Sequence, residues 1–324
     1  MDSDMHWQKA EVADLSECLD LHPGHLGDEI VGRRRAIQAW KDLIQSAAFR
    51  SAVIRSASPI SGQSIVGFGA SVFVSRPFAR AEVANPMPGL NGRILESIDS
   101  GRSVVANYQQ LREANTIGDL QLVILYGSWR KGLLTPDQVC QVQMLLAHSF
   151  QQLHAGFRVG RMLTELVDPE DLQYACALPA WRILDRFDRF HRENHGPAWN
   201  RHRGLAIVTR ESAFADPGSI VTGLFHHREP TLRLRPGEQQ LLEMALGGLT
   251  DEELAVKLYL TVPAIKRRWA AIFEHIGEIR PALAAPKEGS TRGPQKRHRV
   301  LAHVREHPEE LRPFSSLTKR PCSR

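Results

Sequence analysis

The chain has 324 residues, 42% of them hydrophobic and 24% charged, the balance of a globular protein rather than of a disordered or fibrous one. Its length suits about two domains, each large enough to bury a core. Four scattered cysteines (Cys18, Cys140, Cys176 and Cys322) have no CxxC spacing, which excludes a zinc knuckle and a redox dithiol.

No run approaches the roughly 18 apolar residues a bilayer span needs. The acidic start, Met1-Asp2-Ser3-Asp4, lacks the apolar stretch of a signal peptide. The expectation is a cytoplasmic protein without a membrane partner. The net charge of +5 is uneven, because Lys287 to the C-terminus holds ten basic and four acidic residues. Such a tail either attracts phosphates non-specifically or is simply solvated.

Residues 1–228 read as a mixed α+β domain around a central sheet. Met5–Val12 suits a short strand and Asp14–Leu21 a helix. From Arg33 to Phe49, Ile37, Trp40, Leu43, Ile44 and Ala47 recur at helical spacing. Arg50–Ala57 and Ile65–Val74 flank the turn cluster Ser58-Pro59-Ile60-Ser61-Gly62 and predict a hairpin. Arg76–Gly101, rich in Pro, Gly and Asn, predicts a long connection with one short helix. Leu120–Tyr126, apolar and bounded by glycines, suits a buried central strand. Thr135 caps and Pro136 opens a helix that runs to His154 and stops at Gly156. Strands are expected at Arg161–Val167, Gly204–Thr209 and Ser219–Phe225, with a helix at Pro169–Leu178. His226-His227 falls in the interdomain linker.

Residues 232–280 read as three helices. The first starts at Pro236, buries Leu241, Leu242 and Ala245, and stops at Gly247-Gly248. The second opens on a Thr250–Glu253 capping box and turns Leu254, Ala255 and Leu258 inward. Thr261 caps the third. At about 100° per residue, Ile265, Trp269, Ile272, Phe273 and Ile276 share its inner face. Pro263, Ala264 and Arg267 point away, flanked by Lys266 and Arg268. Small residues at a helix start, beside basic ones, suit the DNA major groove and its phosphates. The same pattern also fits a plain three-helix bundle with exposed basic residues.

This segment resembles the LuxR-type helix-turn-helix family through Glu238, Gly248, Glu253-Leu254-Ala255 and Ala264-Ile265-Lys266-Arg267-Arg268. The resemblance covers roughly fifty residues, about a sixth of the chain. It implies a transcriptional regulator bound to double-stranded DNA through Thr261, Pro263, Ala264, Lys266, Arg267 and Arg268, with Lys266 at the family's DNA-contacting lysine. Departures are Ala264 for the family's Thr, Arg268 for its His, and Tyr259 where the turn often has Gly. The family's dimerisation helix does not follow directly. Residues 281–324 read as a flexible link and a basic helical tail, Gln295–His307, whose Val300, Leu301 and Val304 offer a homodimer face.

In the first domain, the order of elements resembles a GNAT-type acyltransferase fold, mostly over Leu120–Gln138 and Gly160–Leu178. That family cradles acyl-CoA pyrophosphate in a Gln/Arg-x-x-Gly-x-Gly/Ala loop. Here the corresponding segment, Gly127 to Leu134, supplies Arg130 and Lys131 without the glycine spacing. The main expectation is therefore a regulator, not an enzyme, whose N-terminal domain senses a small-molecule ligand or mediates assembly. The alternative is an acyl-CoA-dependent N-acyltransferase with an appended helix-turn-helix. No resident cofactor or metal is expected. Gly67-Phe68-Gly69 implies close packing inside a strand rather than a nucleotide loop. His191, His195 and His202 lack the HExxH spacing and read as a polar loop. Trp40, Trp129 and Trp181 read as core.

Overall fold

Two turn signals and a run of alternating residues build the hairpin from which the sheet grows. In the computed structural model, which describes residues 5–21, 28–60, 62–187, 203–284 and 294–315, the chain forms two units, 1–226 and 227–324. The first runs β1 (Met5–Lys9), α1 (Leu15–Leu19), α2 (Asp28–Val31), α3 (Arg33–Ile44), β2 (Phe49–Ile60), β3 (Gln63–Val74), α4 (Arg76–Ala84), α5 (Leu90–Asp99), α6 (Tyr108–Ile117), β4 (Leu120–Trp129), α7 (Pro136–His154), β5 (Val159–Leu166), α8 (Pro169–Ala177), β6 (Arg182–Arg186), β7 (Gly204–Thr209) and α9 (Arg210–Ala215).

The described strands form one seven-stranded sheet in the order β1-β2-β3-β4-β5-β7-β6. All pairs are antiparallel except β4–β5, which are parallel and joined by the crossover helix α7. Alternation along β3 sends neighbours to opposite faces. A Cβ on Gly67 would lie 2.8 Å from Val142 Cγ1 of α7. Phe68 instead packs against Trp40 of α3. Trp40 is fully buried and meets Phe49, Phe68 and Tyr126 edge-on at 6.1–6.4 Å. Each such pair adds about 0.5–1.5 kcal/mol to the burial itself.

α7 begins where its chemistry dictates. Thr135 accepts from the Gln138 N–H, Gln138 Oε1 accepts from the Thr135 N–H, and Pro136 fills the first turn. Gly156, at φ +81°, turns the chain out into β5.

Two expectations are corrected, and one strand is additional. Residues 76–101 hold two helices, α4 and α5, not one; the glycine, proline and asparagine between them are their end signals, with Gly89 left-handed at the start of α5. Ser219–Phe225 is not a strand. It ends in a 3-10 turn at Thr222–Phe225, folded back because the Thr222 hydroxyl reaches the Ala213 and Asp216 carbonyls. β6 escapes notice because its irregular pairing between Ile183 and Asp185 breaks the alternation.

The described elements of the second unit are helical: α10 (Pro236–Leu246), α11 (Asp251–Lys257), α12 (Val262–Ile279), α13 (Pro281–Ala284), α14 (Pro294–Glu306) and a 3-10 turn at Pro308–Leu311. Leu241, Leu242, Leu254, Ile265, Ile272 and Ile276 form its core. Tyr259, at φ +54°, makes the turn between α11 and α12.

Val300 and Val304 lie buried in that same core with Leu301 packed beside them, so α14 spends this face within the unit rather than presenting it to a second copy. Arg297 pairs with Asp251 at 2.8 Å and lies over the Trp269 ring, and Glu310 accepts from the Thr231 and Leu232 N–H groups. Much of the basic C-terminal stretch therefore belongs to this unit. The expected flexible link, 285–293, lies outside the described residues.

Candidate functional site

The parallel pair is also where the sheet opens. β4 and β5 pair from Leu120↔Val159 to Ile124↔Thr164 and no further, although β4 continues to Trp129. At the same point β4 carries one extra residue against β3: Ser71 pairs with Ile124 and Ala70 with Tyr126, leaving Leu125 as the bulge. A bulge sharpens twist and bends its strand, and the stretch past Ile124, where β4 and β5 no longer pair, is the candidate cleft at their C-terminal ends. In α/β units the crevice beyond the carboxyl ends of parallel strands is where ligands bind.

Each wall of the cleft is fixed by polar contacts. On β5, Glu165 is 3% exposed at its side chain and accepts from the Gly89 N–H at 2.9 Å, the Leu90 N–H at 2.7 Å and Arg203 at 3.3 Å. Burial pushes its pKa up, while Arg203, the two N–H groups and Arg93 pull it back. On β4, the Leu125 carbonyl accepts from Asn91 Nδ2 at 2.6 Å. Residues 89–91 at the start of α5 thus tie both strands where they part.

Across the mouth, Lys131 Nζ meets Asp168 Oδ2 at 2.7 Å, joining the end of β4 to the end of β5. Burial works against the Lys131 ammonium, but the hydrogen bond and charge of Asp168, with Asp171 and Glu170, hold its pKa above the ordinary lysine value.

The loop before α7 does not form a pyrophosphate cradle. The Arg130 guanidinium turns inward, with Nε donating to the Ile65 carbonyl at 2.7 Å and Nη2 reaching Glu17 at 3.2 Å. Lys131 is engaged with Asp168, and the first turn of α7 is capped by Thr135. Both basic side chains that the sequence offers for phosphate are committed to protein partners.

The residues expected to read DNA all lie at the start of α12. Thr261 caps it by accepting from the Ala264 N–H at 3.4 Å, Pro263, Lys266, Arg267 and Arg268 are exposed, and Ala264 is half-buried. His191, His195 and His202 lie outside the described residues, and among the described ones no group of His, Cys, Asp and Glu is placed to hold a metal ion. No described helix is long and apolar enough to cross a membrane. Trp129 and Trp181 are half-buried rather than enclosed like Trp40.

No family model matches the chain, and no curated protein matches it. Solved structures to which it is similar include an N-acyl amino acid synthase from uncultured soil microbes, at 7% identity over 65% of this chain and 93% of that one, with a TM-score of 0.33. A mosquito arylalkylamine N-acetyltransferase-like protein matches at 10% identity over 63% and 99%, with a TM-score of 0.38. Agmatine N-acetyltransferase in an apo form matches at 10% over 63% and 98%, with a TM-score of 0.36.

These findings correct the assignment of the chain to the LuxR family of DNA-binding transcription regulators: the named enzymes are acyltransferases, and no family model places residues 232–280 among such regulators. The structure supplies the physical reason. Most of the residues that carried the resemblance build helices. Glu238 closes the start of α10 and meets His275, Glu253 completes the Thr250 cap, and Leu254, Ala255 and Ile265 are core. A capped three-helix packing accounts for that part of the pattern without reference to a partner.

Proposed function

We propose that the first unit is an acyltransferase-type domain, which takes an acyl thioester into the cleft between β4 and β5 and passes the acyl group to an amine. The observation that carries this reading is the parting of the parallel pair at the Leu125 bulge. Beyond Ile124 no described strand pairs with β4 on the β5 side, so an extended arm bearing amides can lie along it as an added strand does. Glu165 and Asn91 tether the two strands to the start of α5 where they part.

On this reading the arm of the donor, and not its head group, is what the domain recognises. With Arg130 and Lys131 committed elsewhere, the arm and the acyl group supply the contacts, and a pyrophosphate head group adds little. Calorimetric titration of the full chain with acetyl-CoA and with S-acetylpantetheine, which lacks the pyrophosphate, tests this. Both are expected to bind with dissociation constants within about tenfold of each other, a difference of about 1.4 kcal/mol. Absence of binding heat for both removes the reading, and a far stronger preference for acetyl-CoA removes the account of the loop.

A further inference from the structure

A second site lies on the α7 face of the sheet. Between α7 and strands β2–β4 is a pocket of about 140 Å³, lined chiefly by apolar groups including Ile124, Leu146, Phe150 and Leu153. Its polar end is made by two buried side chains, Ser71 on β3 and His154 at the last turn of α7, each 1% exposed. Gly127 on its rim is exposed.

Ser71 Oγ and His154 Nε2 are 2.8 Å apart. His154 Nδ1 is 2.7 Å from the Phe150 carbonyl oxygen, which can only accept. Nδ1 therefore carries the proton of the neutral ring, and Nε2 presents its lone pair to the serine hydroxyl. The Arg50 carbonyl is the competing acceptor, but at 3.5 Å it is the poorer one. The rings of Phe73 and Phe150 lie 5.9 and 4.3 Å from the imidazole and hold its plane. A hydroxyl within reach of a base, with the base oriented by a third group, is the arrangement that activates a nucleophile.

We infer that Ser71 is a nucleophile and His154 its general base, and that this pair acts on carboxylic esters or thioesters of small acyl groups held in the pocket. A volume near 140 Å³ matches a single small ring or a short chain. In the first step a bond forms from Ser71 Oγ to the carbonyl carbon. The bond from that carbon to the alkoxide or thiolate breaks, and the serine proton passes through His154 Nε2 to the leaving group. In the second step water or an amine attacks the acyl-serine, gives its proton to Nε2, and the proton returns to Ser71 Oγ as the acyl group leaves. The inference rests on the dyad and its pocket, not on the β4–β5 cleft.

Labelling of the full chain with a small alkyl phosphonofluoridate tests it. Attack by Ser71 forms a phosphorus–oxygen bond and expels fluoride, leaving a mass adduct that peptide mapping locates. The expected result is one adduct per chain, on Ser71, absent from Ser71→Ala and formed about 10²–10⁴-fold more slowly in His154→Gln. An unlabelled wild-type chain, or an adduct mapped to another residue, overturns the proposal, and both readouts need no variant to fold. Labelling at Ser71 without binding of either thioester would retain the dyad and remove the cleft reading; binding without labelling would do the reverse.

Discussion

Gly67 is the point where α7 is pressed against the sheet, and its replacement tests that packing directly. A Cβ there would sit 2.8 Å from Val142 Cγ1 and 3.1 Å from Ile54 Cγ1, where ordinary contacts begin at 3.4 Å. Val142 is fully buried and Ile54 is too, so neither can swing into solvent. Overpacking of this kind costs about 1–3 kcal/mol, so Gly67→Ala should destabilise the first unit by that amount. Val142→Ala loses two buried methyl groups, about 1.6 kcal/mol at about 0.8 each, plus a cavity contribution. The two changes are not independent, because removing Cγ1 removes the closer clash. In the double variant the cost should fall short of the sum by about 1–2 kcal/mol. Urea unfolding followed by near-ultraviolet circular dichroism, which reports the aromatic core around Trp40, measures all three. Additivity within about 0.5 kcal/mol, or a neutral Gly67→Ala, would refute the contact. Because α7 carries His154, the alanine at 67 should also slow labelling of Ser71.

Glu165→Gln leaves an amide where Gly89, Leu90 and Arg203 all present donors, and should cost about 3–5 kcal/mol in chemical unfolding, the range for breaking a buried ion pair. Burial raises the Glu165 pKa, so the folded chain holds its proton longer than the unfolded one, and stability falls as pH climbs above the ordinary value of 4.5. That slope should be missing from the glutamine variant. Lys131 has the same sign in a higher pH window: its raised pKa contributes stability present below the ordinary 10.5 and lost as pH rises through the folded value. Lys131→Met should flatten the alkaline limb of a stability–pH curve, yet cost no more than about 1 kcal/mol at neutral pH, since the pair is partly solvated. Tyr259→Gly should stabilise the second unit by about 0.5–1 kcal/mol, because a 95% exposed tyrosine is held at φ +54° with little side-chain contact to lose. A lower melting temperature in that variant would show that the tyrosine ring has a packing role.

Local signals located most elements and none of the sites. Thr135-Pro136 marked the start of α7 and Gly156 its end because caps and breakers act within a few residues. Gly67-Phe68-Gly69 announced a close approach, and α7 makes it. The Tyr259 position, where the family pattern has glycine, has a positive φ. What stayed hidden depends on pairing between distant segments. Ser71 and His154 are 83 residues apart, Glu165 and Gly89 76 apart, and Asn91 and Leu125 34 apart. Each of these side chains is an ordinary residue in its own neighbourhood. The bulge at Leu125 is equally silent, since it exists only in the register between β3 and β4. Arg130 and Lys131 misled in the opposite direction: they look like phosphate ligands beside a helix start until Glu17 and Asp168 are brought to them.

The strand order explains why the cleft and the pocket fall together. β5 follows β4 through α7, so the helix must cross one face of the sheet between them. That crossing brings the C-terminal turn of α7, with His154, back under β3, while its N-terminal turn stays at the end of β4. Insertion of β7 between β5 and β6 then pairs β5 along its outer edge from Arg161 to Leu166. β5 is held there by a complete ladder, whereas β4 is bent by its bulge and held on that side only as far as Ile124. The bend from one extra residue therefore falls where the β4–β5 ladder ends at Ile124. Deleting Leu125 removes the bulge and leaves the facing of β4 as it is, because Tyr126 then follows Ile124 in plain alternation and still pairs with Ala70. Tyr126 keeps its packing against Trp40 and Phe68, while the bend that the bulge puts into β4 is lost. The deletion should therefore close the β4–β5 seam while keeping the aromatic cluster around Trp40, and a chain lacking Leu125 that bound acetyl-CoA as the wild type does would show that the bulge does not open that seam.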